Sequence, residues 1–127
     1  SLKARISYIK NILSGDKVSY GLTYTSLKDT TIAVLPLGYA DGYTRLFSNK
    51  SQVLVNGKRV NTIGVICMDQ FMVDVGGIGN VIVGDEVVLI GSQGDETISS
   101  DELAAILGTI NYEIVCMISD RVPKIYV

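Results

Sequence analysis

The stretch QVLVNGKRVNTIGVI, residues 52–66, decides the fold class because it carries the strongest short-range structural signal in the chain. Asn56-Gly57 lies between two apolar flanks, and this dipeptide is strongly favoured in the two-residue turn of a β-hairpin. The stretch therefore predicts two antiparallel strands that are joined at Asn56-Gly57.

Further short strands are predicted on both sides of this hairpin. Alternating apolar and polar residues indicate half-buried strands, and β-branched apolar runs indicate buried ones. Glycine and proline clusters separate these segments and indicate turns. The predicted strands are residues 2–8, 18–24, 30–35, 71–75, 86–90, 114–118 and 124–127.

A single helix is predicted after Ser99. Ser99 and Glu102 have the spacing of a capping box, and apolar residues follow at helical spacing as far as Ile110. Many short strands with one helix predict a mainly β fold that is closed or sandwich-like. Nothing indicates an internal boundary, so residues 1–127 are predicted to form a single domain.

The composition narrows the class of protein. The formal net charge is -2 and the basic residues are scattered, which argues against a nucleic-acid partner. No apolar run approaches the roughly 20 residues of a membrane span, and no signal-peptide pattern is present. Ser1 begins directly in an alternating segment, so we expect the chain to be part of a longer protein.

The cysteines indicate the redox environment. Cys67 and Cys116 are far apart, and the chain has no histidine to complete a zinc site. A disulfide between them is one alternative. A reduced pair in the core of a cytoplasmic protein is the favoured interpretation.

The stretch VSYGLTY, residues 18–24, raises the question of acid–base chemistry in a chain without histidine. A phenol has an ordinary pKa of about 10, so its deprotonation at pH 7 costs about 4 kcal/mol. Spacing alone therefore favours Tyr20 and Tyr24 as packing residues on one face of a sheet. The alternative is that one of them carries a proton.

The stretch GYADGYTR, residues 38–45, is predicted to be a loop because of its two glycines. A plain turn is the favoured interpretation, in which Asp41 bonds its own backbone. The alternative is the rim of a pocket, since two tyrosines and an arginine accompany glycines that allow a ligand to approach the backbone.

The stretch GVICMDQFMVDV, residues 64–75, places unusual residues in a β-branched run. Asp69 and Asp74 could suggest a metal pair, but no further oxygen ligands accompany them at a known spacing. We therefore predict no metal. The residues alone favour Cys67 and Met68 as core-filling side chains.

Taken together, these segments resemble the C-terminal domain of bacterial alanine racemase. The matching segments are VSYGLTY, PLGYADGYTR, GVICMDQFMVD, LIGSQGDETIS, INYE and SDRVPKIY, in the family's order and spacing. The resemblance covers nearly the whole chain. It implies a mainly β, barrel-like domain with one short helix.

The resemblance also implies a function. The family interconverts L- and D-alanine through a pyridoxal-phosphate aldimine, and the D-alanine supplies peptidoglycan. An N-terminal α/β barrel, absent from this chain, carries the cofactor on a lysine, so the chain alone is expected to be inactive. The enzyme is a homodimer whose sites combine one subunit's barrel with loops of the other's β-domain. The alternatives are a serine-preferring racemase and a non-catalytic β-barrel interaction module.

Three residues match positions that act on the partner subunit's site. Tyr20 matches the tyrosine base that acts on the L-enantiomer. Met68 matches a residue whose backbone N–H contacts the substrate carboxylate. Tyr39 matches a tyrosine that lines the inner mouth of the site.

The remaining matches are more peripheral. Tyr112 matches a tyrosine that reaches the cofactor phosphate of its own subunit and narrows the pocket. Arg45 and Asp69 match residues along the outer access corridor. Val65 departs from the family, where many members have arginine, and this change removes a positive charge from the corridor. Tyr24 has no catalytic counterpart and stays a packing residue.

Overall fold

The structure is a computed structural model that describes residues 1–18 and 24–126. Most of its regular elements are short strands. In this described part the strands are β1 (Leu2–Arg5), β2 (Tyr8–Ile12), β3 (Lys17–Val18), β4 (Tyr24–Thr25), β5 (Thr30–Leu35), β6 (Gln52–Val55), β7 (Lys58–Ile63), β8 (Phe71–Asp74), β9 (Glu86–Gln93) and β10 (Glu96–Ile98). The helices are α1 (Ser100–Leu107) and α2 (Asn111–Cys116), and short 3-10 turns lie at Tyr39–Asp41 and Arg45–Phe47.

One antiparallel sheet contains most of these strands, in the order β1-β9-β6-β7-β8-β5-β2, with β10 paired to β9. Its edge strands, β1 and β2, are consecutive in the sequence. Between them, Ile6 N–H donates to the Asp85 carbonyl and Ser7 N–H to the Val34 carbonyl. Residues 2–12 therefore supply both edge strands of the sheet. The predicted strand 2–8 is divided between β1 and β2.

The predicted hairpin is confirmed, with its turn at Asn56-Gly57. Asn56 has φ 51° and Gly57 has φ 75°, the left-handed values that the tight two-residue turn requires. Val55 pairs with Lys58 across the turn. The local sequence rule is sufficient here because the turn geometry depends on these two residues alone.

The core lies inside the curved sheet and is sealed by the helices. Fully buried apolar side chains come from β6, β8, β9 and α1, among them Val53, Leu54, Phe71, Leu89 and Leu103. As predicted, Ser99 caps α1: its side chain accepts a hydrogen bond of 3.0 Å from the Glu102 N–H. The prediction of a mainly β fold is confirmed.

The strand predicted at residues 114–118 is wrong. The helix predicted after Ser99 is α1, which ends at Leu107, and the described residues contain a second helix that was not predicted. Asn111–Cys116 forms α2, which places Ile114 in the core and Glu113 in its first turn. An acidic side chain there is favoured by the helix dipole. The β-branched residues misled the prediction because intrinsic propensity is weak against tertiary packing. Residues 124–126 form no regular element, so the last predicted strand is also wrong.

Three further predictions need correction. Val18 and Tyr24 pair across antiparallel β3 and β4, so they do not share one strand. Strand β9 continues through Gly91 and turns back into β10, which was not predicted. Both thiols are free, but Cys116 is exposed and Cys67 is half-buried, so they are not a core pair.

The helices in residues 1–18 and 24–126 are short. None of them has the length and apolar character to cross a membrane.

Candidate active site

Three of the residues singled out from the sequence line one open groove of about 690 Å³: Tyr39, Arg45 and Met68. They come from two loops, one after β5 and one between β7 and β8. The rest of the groove wall is formed by Thr44, Val65, Ile66 and Cys67. The fold therefore brings together residues that are more than twenty positions apart in the sequence.

The two loops are joined by their backbones. Tyr39 N–H donates to the Cys67 carbonyl at 3.0 Å, and Ala40 N–H donates to the Met68 carbonyl at 3.0 Å. These bonds connect the loop after β5 to the loop between β7 and β8, and both loops form the wall of the groove. The position of Tyr39 therefore depends directly on the position of the loop that carries Met68.

Met68 has an exposed side chain and an available backbone donor. Its side chain is 52% exposed, so the core-filling interpretation is wrong for this residue. Within the described residues, none accepts a hydrogen bond from the Met68 N–H. An unpaired N–H at the edge of a groove is available to an anionic ligand, because backbone donors form strong bonds to carboxylates.

The loop at residues 38–45 forms both a turn and part of a groove wall, the two alternatives predicted for it. In this turn, however, the Asp41 carboxylate accepts a bond of 3.0 Å from the Gly38 N–H, three residues earlier, rather than bonding its own backbone. Tyr39 lies in the groove, but Tyr43 does not. The Tyr43 ring stacks on Phe71, and its hydroxyl lies 2.7 Å from the Ser51 Oγ. Burial raises the Tyr43 pKa far above its ordinary value.

An arginine that was not predicted as a site residue connects the groove loops. Arg121 Nη2 lies 2.8 Å from Asp69 Oδ1, and Arg121 Nε lies 3.5 Å from Asp41 Oδ1. The bond to Asp69 and the charge of Asp41 raise the Arg121 pKa. Sequence reasoning missed this cluster because its members are far apart in the chain and no motif links them.

The two aspartates that suggested a metal pair are engaged separately. Asp74 accepts hydrogen bonds from the Thr30 hydroxyl at 2.7 Å and from the Gly76 N–H at 2.9 Å. Asp69 instead forms its ion pair with Arg121. The described part of the chain contains no group of three or more metal-binding side chains.

Tyr112 does not line this groove. Tyr112 is on α2, is 75% exposed, and lines a separate cavity of about 410 Å³ together with Asp101 and Asn111. Tyr20 lies outside the described residues. Its role as a base stays a prediction from the resemblance.

Tyr24 confirms its predicted packing role. It is half-buried against a small apolar cluster that includes Ile12 and Val18. Burial and the nearby Asp74 carboxylate raise the Tyr24 pKa. A raised pKa makes the phenolate harder to form, so Tyr24 is poorly suited to serve as a base.

Comparison with known sequences identifies the family. The family model for the alanine racemase C-terminal domain matches residues 1–126. The alanine racemase of Desulforamulus reducens is 57% identical over 127 residues, which are 100% of this chain and 34% of that protein. That of Carboxydothermus hydrogenoformans is 56% identical, with the same two coverages. The chain thus spans about a third of the length of these relatives.

Solved structures agree with the sequence comparison. Alanine racemase from Bacillus anthracis with bound L-Ala-P has a TM-score of 0.92 and 45% identity, and the match covers 98% of this chain and 32% of that one. Alanine racemase from Bartonella henselae with covalently bound pyridoxal phosphate has a TM-score of 0.92 and 30% identity, with coverages of 98% and 34%. Sequence and fold therefore define a single class of protein. The chain belongs to the family of alanine racemase C-terminal domains.

Proposed function

We propose that residues 1–127 are the single β-domain of a cytoplasmic, homodimeric enzyme that interconverts L- and D-alanine and supplies D-alanine for peptidoglycan. One observation carries the proposal: a groove that combines Tyr39, Arg45 and the unpaired Met68 N–H, in a chain of this family.

The groove supplies a binding role for the substrate carboxylate. The Met68 N–H is a main-chain donor, so a bond to a carboxylate does not depend on the methionine side chain. Arg45 adds a positive charge to the groove wall, which favours an anionic substrate. Tyr39 adds an aromatic face and a hydroxyl at the same wall. In the dimer, these groups would act on the partner subunit's site.

The proton-transfer role falls to Tyr20. Racemisation removes the α-proton from one face of the substrate and returns a proton on the other, so it needs two positioned carriers. Tyr20 is the proposed carrier that acts on L-alanine, and the second carrier lies outside this chain. Deprotonating an ordinary phenol at pH 7 costs about 4 kcal/mol. Positive charge from elsewhere in the enzyme would have to offset this cost.

The hydrogen-bond donors of this chain would help to hold pyridoxal phosphate, with its main attachment elsewhere in the enzyme. When bound, this cofactor withdraws electrons from the α-carbon of the amino acid. Within the described residues no lysine lines the groove, so the attaching lysine would come from another part of the enzyme. The exposed Tyr112 on α2 would contribute its hydroxyl to the phosphate of its own subunit. Arg45 and Asp69 would lie along the access corridor.

A complementation experiment tests the proposed exchange of loops between subunits. One variant of the full-length protein carries Tyr20→Phe, and a second carries a replacement of the cofactor lysine outside this chain. Each homodimer should be inactive. Dissociating and reassociating the mixture should restore alanine racemisation, because one of the two sites in each heterodimer then combines an intact lysine with an intact Tyr20.

The controls separate the two parts of the proposal. Reassociating Tyr20→Phe with itself should restore nothing. An inactive mixture that contains heterodimers would show that Tyr20 does not act across the dimer. A full-length wild-type protein that fails to racemise alanine would contradict the proposed activity itself. After the isolated chain is mixed with pyridoxal phosphate and the free cofactor is removed, it should retain no stoichiometric aldimine absorption band.

A further inference from the structure

We propose that Arg121 is a positioning residue that fixes the two loops of the groove relative to each other, and so sets the positions of Tyr39 and the Met68 N–H. The expected effect of Arg121 on catalysis rests on the proposed function, whereas its structural role does not. Arg121 itself lies in neither loop.

Arg121 joins the loops through two different carboxylates. Its Nη2 bonds Asp69, the residue directly after Met68, at 2.8 Å. Its Nε lies 3.5 Å from Asp41, which ends the 3-10 turn that begins with Tyr39. One guanidinium therefore contacts the residue directly after Met68 and a residue two positions after Tyr39.

The two carboxylates depend on Arg121 to different degrees. Asp41 is held independently, because it accepts the bond from Gly38 N–H and its side chain is only 13% exposed. The Asp69 side chain is 63% exposed, and Arg121 is its partner among the described residues. Loss of Arg121 should therefore release mainly the loop that carries Met68.

Arg121 is itself anchored by the segment that follows α2. Ser119 N–H donates to the Asp41 carbonyl at 2.9 Å, and Arg121 N–H donates to the Ser119 hydroxyl at 3.3 Å. The guanidinium thus reaches Asp69 from a backbone that is already attached to the Tyr39 loop. The same segment leads back to the helix of Tyr112, so one segment connects elements proposed to serve both sites of the dimer.

The geometry favours arginine over lysine at this position. Two separate nitrogens of one rigid fork contact the two carboxylates, whereas a lysine ammonium is a compact point charge. Both side chains of the Arg121–Asp69 pair are exposed, and exposed pairs contribute little to global stability. A positioning role should therefore appear as a local change in the groove rather than as a large loss of stability.

Amide hydrogen exchange in the full-length protein tests the structural role. The Tyr39 and Ala40 amides report on the bonds between the loops, and the Val60 amide in the β6–β7 hairpin reports on the rest of the fold. In Arg121→Gln, we expect the Tyr39 and Ala40 amides to exchange about threefold to fivefold faster. A change of this size is what the small free energy of an exposed ion pair would produce. Exchange at Val60 should stay within twofold, about the scatter of such a comparison.

Salt and a conservative variant provide the controls. Raising the salt concentration should speed exchange at Tyr39 and Ala40 in the wild type, because salt screens exposed ion pairs. It should have little effect on the same amides in Arg121→Gln. Arg121→Lys, which keeps the charge, should restore part of the protection. Unchanged exchange at both amides in Arg121→Gln, or equal acceleration at Val60, would overturn the positioning role.

Steady-state kinetics of the full-length protein test the consequence for catalysis. Arg121→Gln should raise the KM for alanine several-fold and leave kcat nearly unchanged, because weakened binding of the carboxylate is lost equally from ground and transition states. A fall in kcat with an unchanged KM would overturn this consequence. Faster exchange in the variant, together with a wild-type protein that has no racemase activity, would leave the positioning role intact and reject the proposed function.

Discussion

A β-carbon placed on Gly38 would lie 2.1 Å from the carbonyl oxygen of Cys67. The two loops of the groove are therefore in direct backbone contact at this point, with no space for a side chain between them. This contact is adjacent to the hydrogen bond from Tyr39 N–H to the same carbonyl. The glycine is required here by close approach rather than by an unusual backbone angle.

The first prediction concerns this contact. Gly38→Ala should lower the free energy of unfolding by about 1–3 kcal/mol, the usual cost of forcing extra atoms into a packed region. Gly77→Ala is the matched control, since a β-carbon there meets no atom within 4 Å. The control should change stability by less than about 0.5 kcal/mol. Urea denaturation of both variants measures the difference, and equal unfolding midpoints would contradict the contact.

The second prediction concerns the buried phenol of Tyr43, whose pKa is raised mainly by burial. Because the folded state holds this proton more tightly, its contribution to stability is complete below pH 10 and is lost as the pH rises above that value. Tyr43→Phe should therefore show a smaller loss of stability between pH 9 and pH 11 than the wild type. Urea titrations at both pH values test this, and parallel losses in the two proteins would contradict it.

Tyr43→Phe also has an expected effect at neutral pH. The variant removes a hydroxyl that lies 2.7 Å from the Ser51 Oγ, which in turn lies 2.9 Å from the Thr62 Oγ1. The remaining pair is buried and incompletely bonded, so the variant should lose about 1–2 kcal/mol. A gain in stability at pH 7 would show that the hydroxyls are not coupled as described.

The third prediction concerns Arg59, which connects β7 to β10 and α1. Its fork bonds both oxygens of Glu102, at 2.8 and 2.9 Å, and its Nε bonds Glu96 at 2.9 Å. These bonds raise the Arg59 pKa. Arg59→Lys should cost about 1–2 kcal/mol in unfolding free energy, because a single ammonium cannot replace the fork.

The neighbouring Lys58 offers the control for Arg59. Lys58 is an exposed residue at the start of the same strand, so Lys58→Gln should change the unfolding free energy by less than about 0.5 kcal/mol. Urea denaturation at low salt compares the two variants. An Arg59→Lys variant as stable as the Lys58→Gln control would contradict the proposed bridge between the sheet and the helices.

The fourth prediction concerns substrate choice at Tyr112, which is exposed on α2 in this chain. If Tyr112 narrows the pocket of its own subunit, Tyr112→Ala in the full-length protein should raise kcat/KM for serine relative to alanine. A contact of this size shifts such a ratio by about tenfold. Competition between the two amino acids measures it, and an unchanged ratio would remove Tyr112 from the pocket.

The features that the sequence predicted correctly are local ones. The Asn56-Gly57 turn and the Ser99 cap each depend on two residues that lie close together in the chain. The turn at residues 94–95 was missed although Gly94-Asp95 has a suitable composition and Gly94 has φ 61°. Gly91 follows the predicted strand 86–90 and favours a strand end, so the pattern does not indicate that β9 continues to Gln93.

The features that the sequence did not predict depend on packing between distant segments. Helix α2 forms because Ile114 reaches the core. Arg121 and Asp69 are 52 positions apart, and only the folded chain brings them together. The groove itself was suggested by glycines and aromatic residues, but the roles of its members came from the family resemblance and remain proposals.

The most direct test of the account is the loss of proton abstraction in Tyr20→Phe. Exchange of the α-proton of L-alanine with deuterated solvent should be followed by NMR in the full-length protein, with Tyr24→Phe as the control. We predict a fall of at least about 100-fold in Tyr20→Phe, the lower range for removal of a general base, with the bound cofactor retained and the control near the wild-type rate. Exchange at the wild-type rate in Tyr20→Phe would contradict the central claim.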